Sequence, residues 1–177
     1  MRPPKNSYGD YYKNYIALVK EDDLLSALEN SANRSFTFWA DITEEQAHFR
    51  YAEGKWSIKE LLQHIIDTER VFSYRALAFA RGETTQLPGY DENVYTDNCF
   101  ADERTFQSLV DELKTVRQAT LQLFKSFKSE RLDLVGTASN SPLSARAAGF
   151  IIIGHEMHHA NVVKERYLKP YELPQNM

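Results

Sequence analysis

Three of the five histidines fall within the segment Gly154-His155-Glu156-Met157-His158-His159-Ala160. The segment reads as helix, and residues four apart on a helix share a face, so His155 and His159 can aim at one point while His158 is turned away. Two imidazoles directed at one point suggest a metal. Their neighbours decide which pair faces inward. Steps of three and four from His155 pass through Ser144, Ala148, Ile151, Ile152, His159, Val162 and Val163, an apolar stripe apart from the histidines. The same steps from His158 pass through Ala147, Phe150, Gly154, Asn161 and Glu165 and turn polar. His155 and His159 therefore belong on the core side and His158 at a rim. The competing reading is a pair of buried imidazoles bonded to backbone or water. His155-Glu156-x-x-His159 also matches the zinc-protease helix, in which the glutamate is general base. No Gly-x-x-His extension follows and no edge strand is legible, which argues against a peptidase. A third ligand has to come from elsewhere in the chain.

The elements that would position these groups follow from capping residues and apolar period. Met1 to Tyr12 is polar and reads as an extended N-terminal arm (1–12), with Tyr8, Tyr11, Tyr12 and Tyr15 expected to serve packing. A first helix is expected from about Lys13 to Trp39, where Leu18, Leu25, Leu28, Ala32, Phe36 and Trp39 recur mostly at helical steps. Thr43-Glu44-Glu45-Gln46 has the form of a capping box for one short turn. Ser57-Ile58-Lys59-Glu60 is a stronger box that starts the second helix, with Trp56 placed to staple onto Leu61, and Gly82 ends it. His64 lies at the edge of this helix's apolar stripe and is the third ligand candidate. Glu69 lies near the middle of the stripe, where a carboxylate needs a partner; Arg75 or Arg146 is the expected one.

Residues 82–101 are rich in Pro, Gly, Asp and Asn and read as a long crossover loop, of the kind that often covers a site. Asp102 is the expected cap of a third helix through Phe106, Leu109, Leu113, Val116 and Phe124. After a polar break, Ser141-Pro142 reads as the cap and first turn of a fourth helix, which carries the histidines to about Leu168 and stops at Pro170. Residues 13–168 thus form an all-α four-helix bundle with a long loop between helices two and three, and 169–177 a tail. Helices two and four can bring His64, His155 and His159 to one cavity. Three imidazoles leave coordination positions open, as in a catalytic first-row metal site. A ferritin-like di-iron site fits poorly, since only Glu156-x-x-His159 has its Glu-x-x-His spacing. Glu156 or Asp67 could act as a base or accept a hydrogen bond from a ligand imidazole, although helix-surface exposure is the commoner fate of such carboxylates.

The 177 residues, 42% hydrophobic and 26% charged, describe one soluble domain. A net charge of −4 gives no electrostatic reason to bind nucleic acid. No apolar run is long enough to span a bilayer and no leader is visible, so a reducing cytoplasm is the expected compartment, in keeping with the single Cys99, read as inert.

Four motifs taken together resemble the DinB superfamily, in the DinB-like branch that includes the YfiT proteins. They are Lys55-Trp56-Ser57-Ile58-Lys59-Glu60 with His64 four residues on, Asp67-Thr68-Glu69-Arg70, Pro88-Gly89-Tyr90-Asp91-Glu92-Asn93, and Gly154-His155-Glu156-Met157-His158-His159. The resemblance covers roughly Leu18 to Leu168. It implies an antiparallel four-helix bundle, often a homodimer, with one divalent metal such as nickel or zinc on three histidines, which match His64, His155 and His159. It further implies a metal-dependent enzyme acting on a small molecule, either a hydrolase or an S-transferase that uses a low-molecular-weight thiol such as bacillithiol or mycothiol. The alternative is a non-catalytic, metal-fastened bundle serving as a binding or stress-response protein.

Overall fold

The computed structural model describes residues 1–172. In chain order these form α1 (Lys13–Leu18), α2 (Leu24–Ala40), α3 (Glu44–Ala47), α4 (Ile58–Ala80), α5 (Glu92–Asp97), α6 (Phe106–Lys125), strands β1 (Val135–Ala138) and β2 (Ser141–Ser144), and α7 (Ala145–Val162). A wider π-type stretch, Val163–Leu168, leads from α7 into α8 (Lys169–Glu172). The chain is thus mostly helical, with one small sheet.

Capping chemistry explains most boundaries and corrects several expected ones. The boxes at Thr43 and Ser57 form as expected. The expected first helix is instead two, because the Asp23 carboxylate accepts from the Ser26 amide at 2.9 Å and starts α2 afresh. The expected long loop contains α5, capped by Asp91. α6 is capped by Thr105 rather than Asp102, whose carboxylate accepts from Ser57 Oγ at 2.6 Å and pairs with Arg50. Ser141-Pro142 is not a helix start but lies in β2, antiparallel to β1, with Val135 opposite Ser144 and Ala138 opposite Ser141. Ser139 and Asn140 turn this hairpin at φ 51° and 59°, the left-handed pair that matches strand twist. Ser144 then caps α7, its Oγ accepting from the Ala147 amide at 3.0 Å. The helical path continues past Pro170 to Glu172; the rest of the expected tail, 173–177, lies outside the described residues.

The four long helices pack in a ring, α4 against α6 and α7, and α2 against α6 and α7. Their directions follow from the two apolar clusters. One gathers the start of α2 (Leu24, Leu28), the ends of α4 (Phe72, Phe79) and α6 (Phe124), and the start of α7 (Ala148, Ile152). The other gathers the opposite ends, including Trp39, Leu61, Leu109 and Val163. Hence α4 and α6 run in one direction and α2 and α7 in the other. The antiparallel relation expected of the long helices holds for α4/α7 and α2/α6, and fails for α4/α6 and α2/α7.

Between the clusters lies a buried polar layer. Arg117 on α6 donates from Nε and Nη2 to Glu69 on α4 at 2.8 and 2.9 Å, from Nη2 to Glu156 on α7 at 3.3 Å, and from Nη1 to Ser31 on α2 at 2.9 Å. Trp39 Nε1 donates to the other oxygen of Glu156 at 3.2 Å. The partner of Glu69 is thus Arg117, not Arg75 or Arg146; the latter pairs with Asp133. Burial opposes the charge on Arg117, but the two carboxylates outweigh it and hold the proton more tightly. The N-terminal arm is not extended but folds back in short turns, with Arg2 donating to the Val19 and Ile16 carbonyls at 2.7 and 2.6 Å. α1 then lies so close on α7 that a Cβ at Gly154 would sit 2.0 Å from the Tyr15 carbonyl oxygen.

Arg117→Met fills the same space but leaves two buried carboxylates without their cation. We expect a loss of about 3–5 kcal/mol in urea unfolding, the usual result of removing one side of a buried pair; a loss below 1 kcal/mol would show that the layer contributes little.

Candidate metal centre

α4 and α7 meet along an antiparallel seam, and the histidines face each other across it. His64 Nε2 lies 3.0 Å from His155 Nε2, which lies 3.0 Å from His159 Nε2. All three ligand atoms fall within 4.8 Å of one another, and this trio could hold a metal ion. The donor set suits a borderline cation: two imidazole nitrogens at tetrahedral angles on one ion are about 3.3 Å apart, from bond lengths of about 2.0–2.1 Å. His155 is 8% exposed, and His64 and His159 are half-buried. His158 is exposed, at the rim where the helical face puts it.

The surroundings fix the rings and set their chemistry. Tyr15 meets His155 edge-on at 5.5 Å and Trp56 lies 5.0 Å from His64. Burial pushes the proton affinity of His64 down to about 4 and that of His159 to about 3, and drives that of His155 well below its ordinary value, with the neighbouring imidazoles adding to the last two. The rings are therefore neutral at pH 7 and offer lone pairs. His159 Nδ1 is buried with no hydrogen-bond partner among the described residues, so no protein carboxylate braces that ring.

The trio opens into a cavity of about 420 Å³, whose walls include Tyr12, Tyr15, Phe72, Arg75 and Tyr90. A second cavity, about 350 Å³, shares Trp56 and His159 with it. The loop after α4 reaches the cavity through Tyr90, whose phenol meets Thr68 Oγ1 at 2.7 Å.

Two carboxylates considered as base or imidazole acceptor lie elsewhere. Glu156 is turned into the polar layer with Arg117 and Trp39, and Asp67 accepts from Gln63 at 2.9 Å and from Arg70. Neither bonds to a histidine of the trio. Cys99 is half-buried and its thiol is pushed up by burial, as suits an inert side chain. What the sequence reading missed is the tyrosine group and Arg75. A usable signal existed: steps of four and three from His64 give Thr68, Phe72 and Arg75, all on the cavity wall.

Metal-free protein carries a testable consequence. Above pH 6.5 the three imidazoles are neutral whether the chain is folded or not. Below it the unfolded chain takes up protons that the folded one refuses, so stability falls as pH drops from 6.5 toward 4, by about 1.4 kcal/mol per pH unit for each proton taken up. In urea titrations His64→Phe should make this slope shallower by up to about 1.4 kcal/mol per pH unit; an unchanged slope would show that His64 is not buried neutral.

A family model for the DinB superfamily matches residues 27–163. No curated protein matches the sequence. Among solved structures the chain is similar to YfiT from Bacillus subtilis, described as a probable metal-dependent hydrolase with an unusual four-helix bundle topology. The TM-score is 0.69 at 13% identity, covering 97% of this chain and 94% of that one. The matched residues span well over half of the sequence, and the chain belongs to the DinB superfamily.

Proposed function

We propose that the protein is a metal-dependent enzyme in which His64, His155 and His159 hold one divalent transition metal, nickel or zinc, and the adjoining cavity admits a small molecule. The observation that carries this is the convergence of three neutral Nε2 atoms on one edge of an aromatic-walled cavity. Among the described residues no fourth His, Cys, Asp or Glu joins the cluster. A purely structural site is normally closed by four protein ligands, so an incomplete set beside a cavity favours turnover over a metal-fastened binding module.

A cation held there supplies Lewis-acid chemistry that lowers the pKa of a water or thiol placed against it. The protein's own contribution is to bind and orient. The phenols of Tyr12 and Tyr15, pushed up by burial, stay protonated and can donate hydrogen bonds to a ligand. Tyr90 and Trp56 line the cavity beside the trio. The reaction is hydrolysis of a small substrate or transfer to a low-molecular-weight thiol; the description of YfiT as a metal-dependent hydrolase supports the first as a class. In this reading the chain is a YfiT-like four-helix bundle and works as a homodimer in the cytoplasm. No described helix is long and apolar enough to cross a membrane.

Elemental analysis of untagged protein should find about one metal per chain, as a single site of this donor set requires. His64→Ala and His159→Ala should each lose it while keeping their helical circular dichroism; stoichiometric metal in both would remove the trio. After cobalt substitution, a visible band that grows on adding a small thiol would favour the transferase branch, and an unchanged spectrum would leave hydrolysis or a structural metal.

A further inference from the structure

Among the described residues, buried cations meet carboxylates with one exception. Lys59 pairs with Glu44, Arg117 with Glu69 and Glu156, and Arg146 with Asp133. Arg75, 3% exposed, meets none. A buried charge without a counter-charge is costly, so its retention calls for a reason. Its Nη2 donates to the Pro88 carbonyl and to Ser139 Oγ, each at 3.0 Å, and its guanidinium lies 5.0 Å from the centroid of Phe72. Ser139 reaches it from a left-handed position of the hairpin turn, a conformation that a serine adopts rarely. These contacts engage Nη2, which belongs to both bidentate edges of the fork. The Tyr12 hydroxyl also lies against the guanidinium, no carboxylate among the described residues does, and Arg75 lines the cavity of the histidine trio. The carboxylate on the cavity wall, Glu92, is exposed and forms no ion pair with Arg75.

We propose that Arg75 is the anion-recognising residue of this cavity and that the substrate carries a carboxylate, which accepts from guanidinium hydrogens left free by Pro88 and Ser139. One guanidinium balances one negative charge, which suits a carboxylate better than a dianionic phosphoryl group, and the Nη2 bonds hold the side chain in place. His64 and Arg75 stand eleven positions apart on α4, about 16 Å along the helix axis, so they mark two ends of one groove. Phe72 lies between them and suits an apolar middle, with Tyr12 edge-on to it at 5.6 Å. The substrate class is therefore a small carboxylic acid with an apolar body, whose reacting end is turned toward the histidines. The orientation rests on the metal-enzyme reading; the carboxylate site does not.

The test uses metal-free protein, so that a carboxylate cannot bind through the metal. Isothermal titration with 3-phenylpropionate, together with the Nε–H signal of Arg75 in nitrogen-15 spectra, should show saturable binding that moves that signal. The neutral 3-phenylpropionamide should bind at least about tenfold more weakly, and Arg75→Gln should weaken the acid by a similar factor while leaving the amide unchanged. Arg75→Lys should recover part of the loss as a point charge. Equal affinity for acid and amide in the native protein would overturn the proposal, even if Arg75→Gln fails to fold. So would tighter binding of 3-phenylpropylphosphonate than of the acid, which would reassign the site to phosphoryl groups, or no saturable binding at all. Loss of metal in the histidine variants bears on the metal reading alone and leaves this result intact.

Discussion

The rotation of the long helices depends on one buried cation. Arg117 is bonded to side chains from α2, α4 and α7, so each of these helices must present one particular residue to the centre of the ring. A helix turns about 100° per residue. With Glu156 held inward, His155 is swung about 100° off the centre line, and with Glu69 held inward, His64 is swung about 140° on its own helix. Both turns carry the imidazoles to the α4/α7 seam rather than into the middle of the core. Apolar packing alone tolerates some sliding and rotation of one helix past another, whereas a two-carboxylate clamp with fixed donor geometry does not. The ion layer thus adds registry to the fold, and the histidine cluster inherits it.

Topology then builds the walls of the cavity. Because α4 and α6 run in the same direction, the chain must travel the length of the molecule between them, and the segment that does so places Tyr90 against Thr68 on α4. A short antiparallel connection would leave this face of α4 open. The opposite wall comes from the N-terminus, where α1 rests on α7 at Gly154, the one place where the absent Cβ admits a backbone oxygen. That contact sets Tyr15 against His155 and His158. Both walls are thus added to the α4 and α7 surface that holds the histidines.

What could be read in advance was what local chemistry dictates. The faces of the last long helix followed from its period, since an apolar stripe interrupted by His155 and His159 has one inward side. The boxes at Thr43 and Ser57 were legible because each is complete within four residues. The β1–β2 hairpin was not, because Ser-Pro before an alanine-rich run has the same local form as a helix start. What decides for a strand is pairing across a turn whose Ser139 and Asn140 carry no glycine to announce the left-handed backbone. Helix direction was equally hidden: amphipathic period says which face is buried but not which way a neighbour runs. Glu156 showed the limit of motif reading. Its place in His-Glu-x-x-His invites a catalytic role, while its burial partner, Arg117, is 39 positions away in the chain.

The two ends of the cavity carry different chemistry, and this gives the site its polarity. Burial strips protons from the imidazoles, which leaves neutral lone pairs. Arg75 supplies a guanidinium at the other end. The tyrosines between are pushed toward the protonated form and add donors without charge. One environment thus yields acceptors at one end, a cation at the other and neutral donors along the way. The surrounding protein is acidic, with a net charge of −4, so at long range it does not draw anions in. Surface fields are screened beyond about 10 Å in ordinary salt, and inside a low-dielectric cleft the nearest groups dominate. Selection of a ligand therefore takes place by contact within the cavity, which suits a small molecule held at both ends better than a large partner steered from a distance.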